Sequence, residues 1–93
     1  MFVRFEWDEA KRRVNLRKHG IDFADVAAIF DGDVLTLIDD RLDYGETRNI
    51  TLGLLQGRTI VAVHADWADL TRIISARKAT RYEEERYFEQ VAD

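Results

Sequence analysis

Apolar and polar residues alternate with a period of two in the middle of the chain, which is typical of half-buried β-strands. In residues 48–55, aliphatic side chains share one face, and small or polar side chains share the other. The dipeptide Gln56-Gly57 follows and predicts a tight hairpin into residues 58–66. Further strands are predicted at residues 34–39 and 70–76, so the central and late segments form an antiparallel meander joined by short turns.

Three segments carry the start and stop signals of helices. Asp8 is a favourable N-cap and Gly20 a favourable end, which predicts a helix of about eleven residues between them. Residues 21–30 have a broad apolar face, typical of a short helix packed on a core. Thr80 and Glu83 have the spacing of a capping box, so the last helix begins there.

The order of these elements predicts a small α+β domain that spans residues 1–93 as a single unit. A strand at residues 2–7 comes first, followed by two helices, three or four antiparallel strands and a C-terminal helix. We expect the helices to pack on one side of the sheet and residues 39–47 to form an acidic loop. A chain of this length supports one core of modest size.

Composition excludes several kinds of site. The chain has no cysteine, which removes disulfides, thiolate nucleophiles and thiolate metal sites. It has no apolar run near the ~20 residues of a membrane span, and its first residues lack the apolar core of a secretory signal. His19, His64 and the pair Asp39-Asp40 do not match a metal-ligand spacing, so no metal or cofactor is predicted. These features predict a cytoplasmic protein.

Charge is unevenly distributed along the sequence. The formal net charge of −4 argues against a nucleic-acid partner. Residues 11–19 and 72–81, however, hold basic side chains with no acid among them, while the acids collect elsewhere. Two basic islands on an acidic background can steer a polyanion to one face of the molecule.

The first basic island lies on one side of the first predicted helix. At about 100° per residue, one arc of roughly 80° holds Lys11, Asn15, Lys18 and His19. One interpretation of this clustering is an anion site. A second is a solvated basic face on which the helix dipole favours His19. Direct DNA binding by this helix is a third interpretation, which the net acidity and the lack of a helix-turn-helix pattern disfavour.

The second basic island lies where the last strand meets the last helix. Its four cations are Arg72, Arg77, Lys78 and Arg81. Free N–H groups and the dipole at a helix N-terminus favour anions, so this joint predicts a phosphate site. The alternative is that the cations pair with the glutamates at residues 83–85 on the surface.

Residues across nearly the whole chain resemble those of the BrnT toxins. The shared features, in order, are Phe5-Glu6-Trp7-Asp8, Lys11, Asn15, Lys18-His19-Gly20, Phe23, Phe30-Asp31, Arg48, Gly53, Arg72-Ile73-Ile74-Ser75-Ala76-Arg77, Ala79, Glu83 and Tyr87. The resemblance implies a RelE-like fold and a ribonuclease toxin of a type II toxin–antitoxin system. It also implies a BrnA-like ribbon-helix-helix antitoxin as partner, operator DNA bound only through that antitoxin, and a toxin dimer within the complex.

RNA cleavage without a metal assigns tasks to particular residue types. The ribose 2′-OH attacks the adjacent phosphorus, so the enzyme must orient the attack, move two protons and stabilise charge on the phosphoryl oxygens. Histidine suits the proton transfers, and guanidinium groups bind phosphate in a bidentate fork. The predicted catalytic residues are His19, Lys11, Lys18, Arg72 and Arg77. The predicted RNA-binding residues are Arg12, Arg48, Lys78, Trp67 and Tyr87, with the two aromatic rings as candidates for base stacking.

Two alternatives stay open at this point. On a regular strand Arg72 and Arg77 face opposite sides of the sheet, so they share a site only if a bulge intervenes or if the strand ends before Arg77. His64 is in phase with Ile60 and Ala62 and is predicted to be a core or sheet-face histidine. The alternative function is a non-catalytic module that binds an antitoxin and acts as a co-repressor.

Overall fold

The computed structural model describes residues 3–39 and 47–91. The first residue of the predicted N-terminal strand, Phe2, and all but the ends of the predicted acidic loop lie outside the described residues. The elements in chain order are β1 (Arg4–Glu6), α1 (Glu9–His19), α2 (Phe23–Val26), a 3-10 helix (Ala27–Asp31), β2 (Leu35–Asp39), β3 (Arg48–Leu55), β4 (Arg58–Trp67), β5 (Leu70–Lys78) and α3 (Arg81–Val91).

The described strands form one five-stranded mixed sheet in the order β1-β5-β4-β3-β2. The strands β2 to β5 form the predicted antiparallel meander, and β1 adds to it parallel to β5. β2 lies at the other margin, where Leu37 is 49 % and Ile38 69 % exposed. The predicted α+β class is confirmed, whereas the pairing of the N-terminal strand with the distant β5 was not predicted.

Local sequence signals set the ends of these elements as predicted. The Asp8 side chain accepts a hydrogen bond from the backbone N–H of Lys11 at 3.0 Å, and Gly20 ends α1 in the left-handed region at φ 72°. Gln56 and Gly57 both have positive φ, at 52° and 81°, as a two-residue type I′ hairpin requires. The caps and the hairpin therefore confirm the predicted boundaries.

The second predicted helix is shorter and changes type. Asp22 caps α2 by accepting from the N–H of Ala24 at 3.0 Å, and after four residues the chain tightens into the 3-10 helix. Phe23, Val26 and Ile29 are buried, which confirms the predicted apolar face of this segment.

Two cores lie on opposite faces of the sheet. The larger core packs α2 and the 3-10 helix against Ile60 and its in-phase neighbours. The smaller core packs Tyr87 of α3 against Leu52 and Val61. Because Ile60 and Val61 are adjacent in β4, they point to opposite faces. The prediction that all helices lie on one side of the sheet is therefore wrong, since β4 is apolar on both faces and each face needs a cover.

No helix within the described residues is both long enough and apolar enough to cross a lipid bilayer.

Candidate functional site

The site is built where α1 lies along an open edge of the sheet. β1 pairs only with residues 70–72, so the rest of β5 has no strand neighbour on that side. The side-chain amide of Asn15 takes the place of that neighbour. Its Nδ2 donates to the carbonyl of Ala76 at 2.9 Å, and its Oδ1 accepts from the N–H of Ala76 at 3.1 Å. Asn15 is only 7 % exposed, so it fastens α1 to β5 instead of adding to the exposed basic arc.

A groove follows the seam between α1 and β5. Two recesses of about 360 and 340 Å³ lie along this seam and share Lys11 and Ile74 as lining residues. We call their union the α1–β5 groove. Its principal lining residues are Lys11, Val14, Lys18, His19, Arg72 and Ile74.

Four of the five predicted catalytic residues border this groove. Lys11, Lys18 and His19 line its first recess, and Lys11 and Arg72 line its second. Lys11 and Lys18 are seven positions apart on one helix, which separates them by about 10 Å along its axis. Among the described residues, Lys11, Lys18 and His19 have no carboxylate within ion-pair distance. The groove therefore presents Lys11, Lys18 and His19 without a contacting carboxylate, while two acids, Glu6 and Asp8, line its second recess.

A β-bulge settles the orientation of the two arginines. Arg72 lies opposite Ala65 and Arg77 opposite Val61, while Ile74 between them has no partner in β4. The extra residue shifts the alternation by one, so both arginines lie on the same face of the sheet. Sequence parity had placed them on opposite faces unless a bulge intervened, and the bulge is present.

The surroundings of Arg72 leave it accessible. Its Nη2 lies 3.3 Å from Glu6 Oε1, and its guanidinium carbon lies 5.1 Å from the centre of the Trp67 ring. Trp67 is 45 % exposed, so an aromatic surface adjoins the groove at this end. Both side chains of the Arg72–Glu6 pair are substantially exposed, and such a pair is weak in water.

Arg77 is held differently, at the start of α3. Its Nη1 and Nη2 donate to the two carboxylate oxygens of Glu83 at 2.8 and 2.9 Å. This bidentate bond, helped by the backbone N–H of Thr80, lowers the pKa of Glu83 from 4.5 to about 2. Arg77 does not line either recess of the groove. The structure thus brings Arg72 to the groove and directs Arg77 to the α3 capping box.

Arg12 ties α1 to the beginning of α2. It bonds to Glu9 at 2.7 Å and to Asp22 Oδ2 at 3.0 Å, while Asp22 Oδ1 caps α2. These contacts, the Glu9 bond above all, raise the pKa of Arg12 and lower that of Glu9. Arg12 was predicted to contact RNA, and the structure places it in this half-buried ion pair outside the groove.

Tyr87 lies in the smaller core. Its ring is 2 % exposed in the smaller core, and its hydroxyl donates to the carbonyl of Asp33 at 2.8 Å. Burial raises the pKa of this hydroxyl. The ring packs in the core, and the stacking role predicted for it stays a prediction.

The remaining predicted RNA contacts lie apart from the groove. Arg48 is half-buried on β3 between Asp39 of β2 and Ala65 of β4. Lys78 is exposed at the end of β5 and lines a third recess with His19 and Arg58. Sequence reasoning missed Arg58, whose neighbours along the chain carry no other basic residue.

His64 is a buried core residue, as predicted. It is 2 % exposed, with Nε2 at 2.6 Å from Thr51 Oγ1 and Nδ1 at 2.9 Å from Asp66 Oδ1. Asp66 also accepts from Thr71 at 2.9 Å and from Asn49 at 2.8 Å. This network joins β3, β4 and β5 next to the bulge. Within residues 3–39 and 47–91, no three histidine, aspartate or glutamate side chains are arranged to hold a metal ion.

Comparison with known proteins identifies one family. The model of a family described as the ribonuclease toxin, BrnT, of type II toxin–antitoxin systems matches residues 7–83. The matched region includes all of α1 and β5 and every lining residue of the groove except Glu6. A search of curated proteins found no match.

Proposed function

Because the chain belongs to the BrnT family of ribonuclease toxins of type II toxin–antitoxin systems, we propose that it cleaves RNA in the α1–β5 groove without a metal ion. Membership confirms the family resemblance in the sequence and implies an antitoxin partner and an RNA substrate. One observation carries the proposal. Lys11, Lys18, His19 and Arg72 border one groove, and the first three have no carboxylate partner among the described residues.

The proposed reaction is an internal transfer at phosphorus. The ribose 2′-oxygen forms a bond to the adjacent phosphorus while the bond from phosphorus to the 5′-oxygen breaks. The products are a 2′,3′-cyclic phosphate and a free 5′-hydroxyl. One proton leaves the 2′-OH and one joins the departing 5′-oxygen, so the reaction balances without water or an added cofactor.

His19 is the proposed proton-transfer residue. It borders the groove at the C-terminal end of α1, between Lys18 and the left-handed Gly20. Histidine is the side chain that most readily takes up and releases a proton near neutral pH. Lys18 next to it is suited to holding a flanking phosphate and keeping the scissile bond at the imidazole.

Arg72 and Lys11 are the proposed groups that stabilise charge on the phosphoryl oxygens. They line the same recess, and the planar fork of a guanidinium matches two phosphoryl oxygens. Exchanging the exposed Glu6 contact of Arg72 for a phosphate costs little, since exposed ion pairs contribute at most about 1 kcal/mol. The exposed ring of Trp67 beside Arg72 is suited to stacking on a base. Arg77 is bound to Glu83 outside the groove, so its catalytic role stays a prediction.

A cleavage assay with the purified chain tests the proposal. The substrate is a 2′-deoxy oligonucleotide with one ribonucleotide, and its all-deoxy counterpart is the control. We expect cleavage only at the ribonucleotide, a cyclic-phosphate end, and no loss of activity in a metal chelator. His19→Ala should lower kcat by about 10²–10⁴-fold. Arg17→Ala, an exposed cation of the same helix outside the groove, should leave kcat unchanged.

Cleavage of the all-deoxy strand would exclude the 2′-OH mechanism, and full activity of His19→Ala would remove that residue from it. Expression in cells adds a second readout, in which we expect growth arrest that His19→Ala relieves. A chain that captures an antitoxin but neither cuts RNA nor arrests growth would instead be the non-catalytic co-repressor module.

A further inference from the structure

We propose a second RNA-backbone subsite at the far end of α1, formed by Arg58 and Lys78. This inference rests on the proposed function. A recess of about 230 Å³ lies between the end of α1 and the β3–β4 hairpin, and His19, Arg58 and Lys78 line it. The expected ligand is the phosphodiester backbone of single-stranded RNA that flanks the cleavage site.

The recess continues the α1–β5 groove. His19 lines both, so the two depressions meet at the proposed proton-transfer residue. The eleven residues of α1 extend over about 16 Å, and cationic side chains mark this path from Arg72 at one end to Arg58 at the other. A strand of RNA that fills the groove is thereby directed into the recess.

The charges of the recess are available to a ligand. Arg58 and Lys78 are exposed, and neither has an ion-pair partner among the described residues. Arg12, by contrast, pairs with Glu9 and with Asp22. The comparison separates a cation that ties two helices together from two cations that have no such task.

The backbone around the recess is fixed and its entrance is open. Arg58 begins β4 directly after the hairpin, and Lys78 pairs with Ile60 at the end of the β4–β5 ladder. Sites on regular strands hold their side chains in more reproducible positions than sites on loops. A Cβ built on Gly20, which also lines the recess, would meet no heavy atom within 4 Å.

One acid opposes the cations. Asp25 lines the same recess as Arg58 and Lys78. The recess therefore has a net positive charge, and Asp25 lowers its attraction for phosphate. Removing this carboxylate should strengthen RNA binding, an outcome that damage to the fold cannot produce.

Binding of uncleavable RNA tests the subsite. Fluorescence anisotropy of the full chain is measured with 2′-O-methyl oligonucleotides of about 4 and about 12 nucleotides, lengths that bracket typical single-strand site sizes. Arg58→Ala and Lys78→Ala should each weaken binding of the longer oligonucleotide several-fold and the shorter one less. Each should also reduce the slope of log affinity against log salt by about 0.7. Asp25→Asn should bind the longer oligonucleotide more tightly than the unmodified chain.

Arg17→Ala is the matched control, since it removes an exposed cation of α1 that lines none of the three recesses. Equal affinities for Arg58→Ala, Lys78→Ala and Arg17→Ala would overturn the inference, as would an equal loss for both oligonucleotide lengths. Variants that bind RNA normally but lose capture of the antitoxin would show that the recess takes an acidic protein segment instead. Failure of the proposed function is a separate result, namely a chain that binds RNA in this pattern without cutting it.

Discussion

At the residue scale, Asn15 supplies what β5 lacks on its open edge. Two N–H donors of one amide reach the carbonyls of Ile21 and Ala76, and its oxygen accepts from the N–H of Ala76. All of these groups are buried, so each would cost free energy without its partner. An amide is the only side-chain group that offers two donors and an acceptor in this geometry.

Asn15→Asp should therefore be strongly destabilising even though its shape is unchanged. The carboxylate loses both donors and brings negative charge close to two buried carbonyl oxygens. We expect the free energy of unfolding to fall by about 2–4 kcal/mol, as for other unpaired buried polar groups. Urea unfolding measures it, with Arg17→Ala as a control that should stay within about 0.5 kcal/mol. An unchanged midpoint for Asn15→Asp would refute this account of the helix–strand junction.

The distance along the chain between a residue and its partner determines which roles could be predicted from the sequence. Asp8 and Gly20 act on backbone groups within four positions, so their roles follow from local rules. The burial of Asn15 depends on Ala76, which is 61 positions away, and the hydroxyl of Tyr87 bonds to a residue 54 positions away. The helical wheel placed Asn15 in one arc with the basic residues, and its aromatic ring made Tyr87 a base-stacking candidate, because neither partner is visible from a local pattern.

At the element scale, the joint between β5 and α3 is fixed by a charged group. Glu83 bonds to Arg77 at the end of β5 and to the backbone N–H of Thr80, while Thr80 Oγ1 accepts from the N–H of Glu83 at 3.2 Å. One carboxylate thus closes the capping box and holds the preceding strand. This arrangement needs the ionised form of Glu83.

Stability should therefore depend on Glu83 in a defined pH range. Its pKa is about 2 in the folded chain against an ordinary 4.5, so the stabilisation is complete above about pH 4.5 and is lost as pH falls towards 2. Glu83→Gln should lower the free energy of unfolding by about 1–2 kcal/mol near neutral pH, since the group is partly exposed, and by little near pH 2. Urea unfolding at several pH values measures this difference.

Glu85→Gln is the control for that measurement, because its partner Arg81 is 92 % exposed and the pair should contribute little. A difference in the free energy of unfolding between Glu83→Gln and the unmodified chain that stays constant down to pH 2 would contradict the assignment.

The Glu83→Gln variant also separates two roles of Arg77. If RNA cleavage survives in Glu83→Gln but not in Arg77→Ala, the guanidinium acts on RNA as well as on the capping box.

The position of the bulge at Ile74 could not be predicted from the sequence of either strand alone. The strand boundaries and the hairpin follow from periodicity and turn chemistry, and they were predicted to within about two residues. The bulge is a property of two strands in register, since it exists only where β5 pairs with β4. It brings Arg72 and Arg77 to one face, so the orientation of two candidate site residues depends on information that neither strand carries alone.

At the scale of the whole molecule, the overall charge and the groove act in opposite directions on RNA. The net charge of −4 repels a polyanion at long range, whereas Lys11, Lys18 and His19 border the groove without an ion-pair partner among the described residues. Over distances below a Debye length of about 10 Å the local charges dominate. Binding is then governed by the distribution of charge more than by its sum.

The association rate with RNA should consequently fall as salt rises. Stopped-flow measurements between about 50 and 200 mM salt should show slower association at the higher concentration, because screening weakens attraction to the groove. The double variant Lys11→Ala, Lys18→Ala should show a weaker dependence, and Arg13→Ala with Arg17→Ala serves as a control of equal charge. An association rate that rises with salt would mean that net repulsion governs the encounter.

The order of the strands has a consequence for how this toxin can be silenced. β2 forms one margin of the sheet, and the part of β5 that β1 does not cover lies three strand spacings away, or about 14 Å. An inhibitor that extends the sheet by pairing with β2, where Ile38 is exposed, leaves the α1–β5 groove uncovered and has to act at a distance. An inhibitor that fills the α1–β5 groove would occupy the cations that we propose bind RNA. An inhibitor that blocks RNA directly therefore binds at the β5 side of the sheet, and an inhibitor that acts at a distance binds at the β2 side.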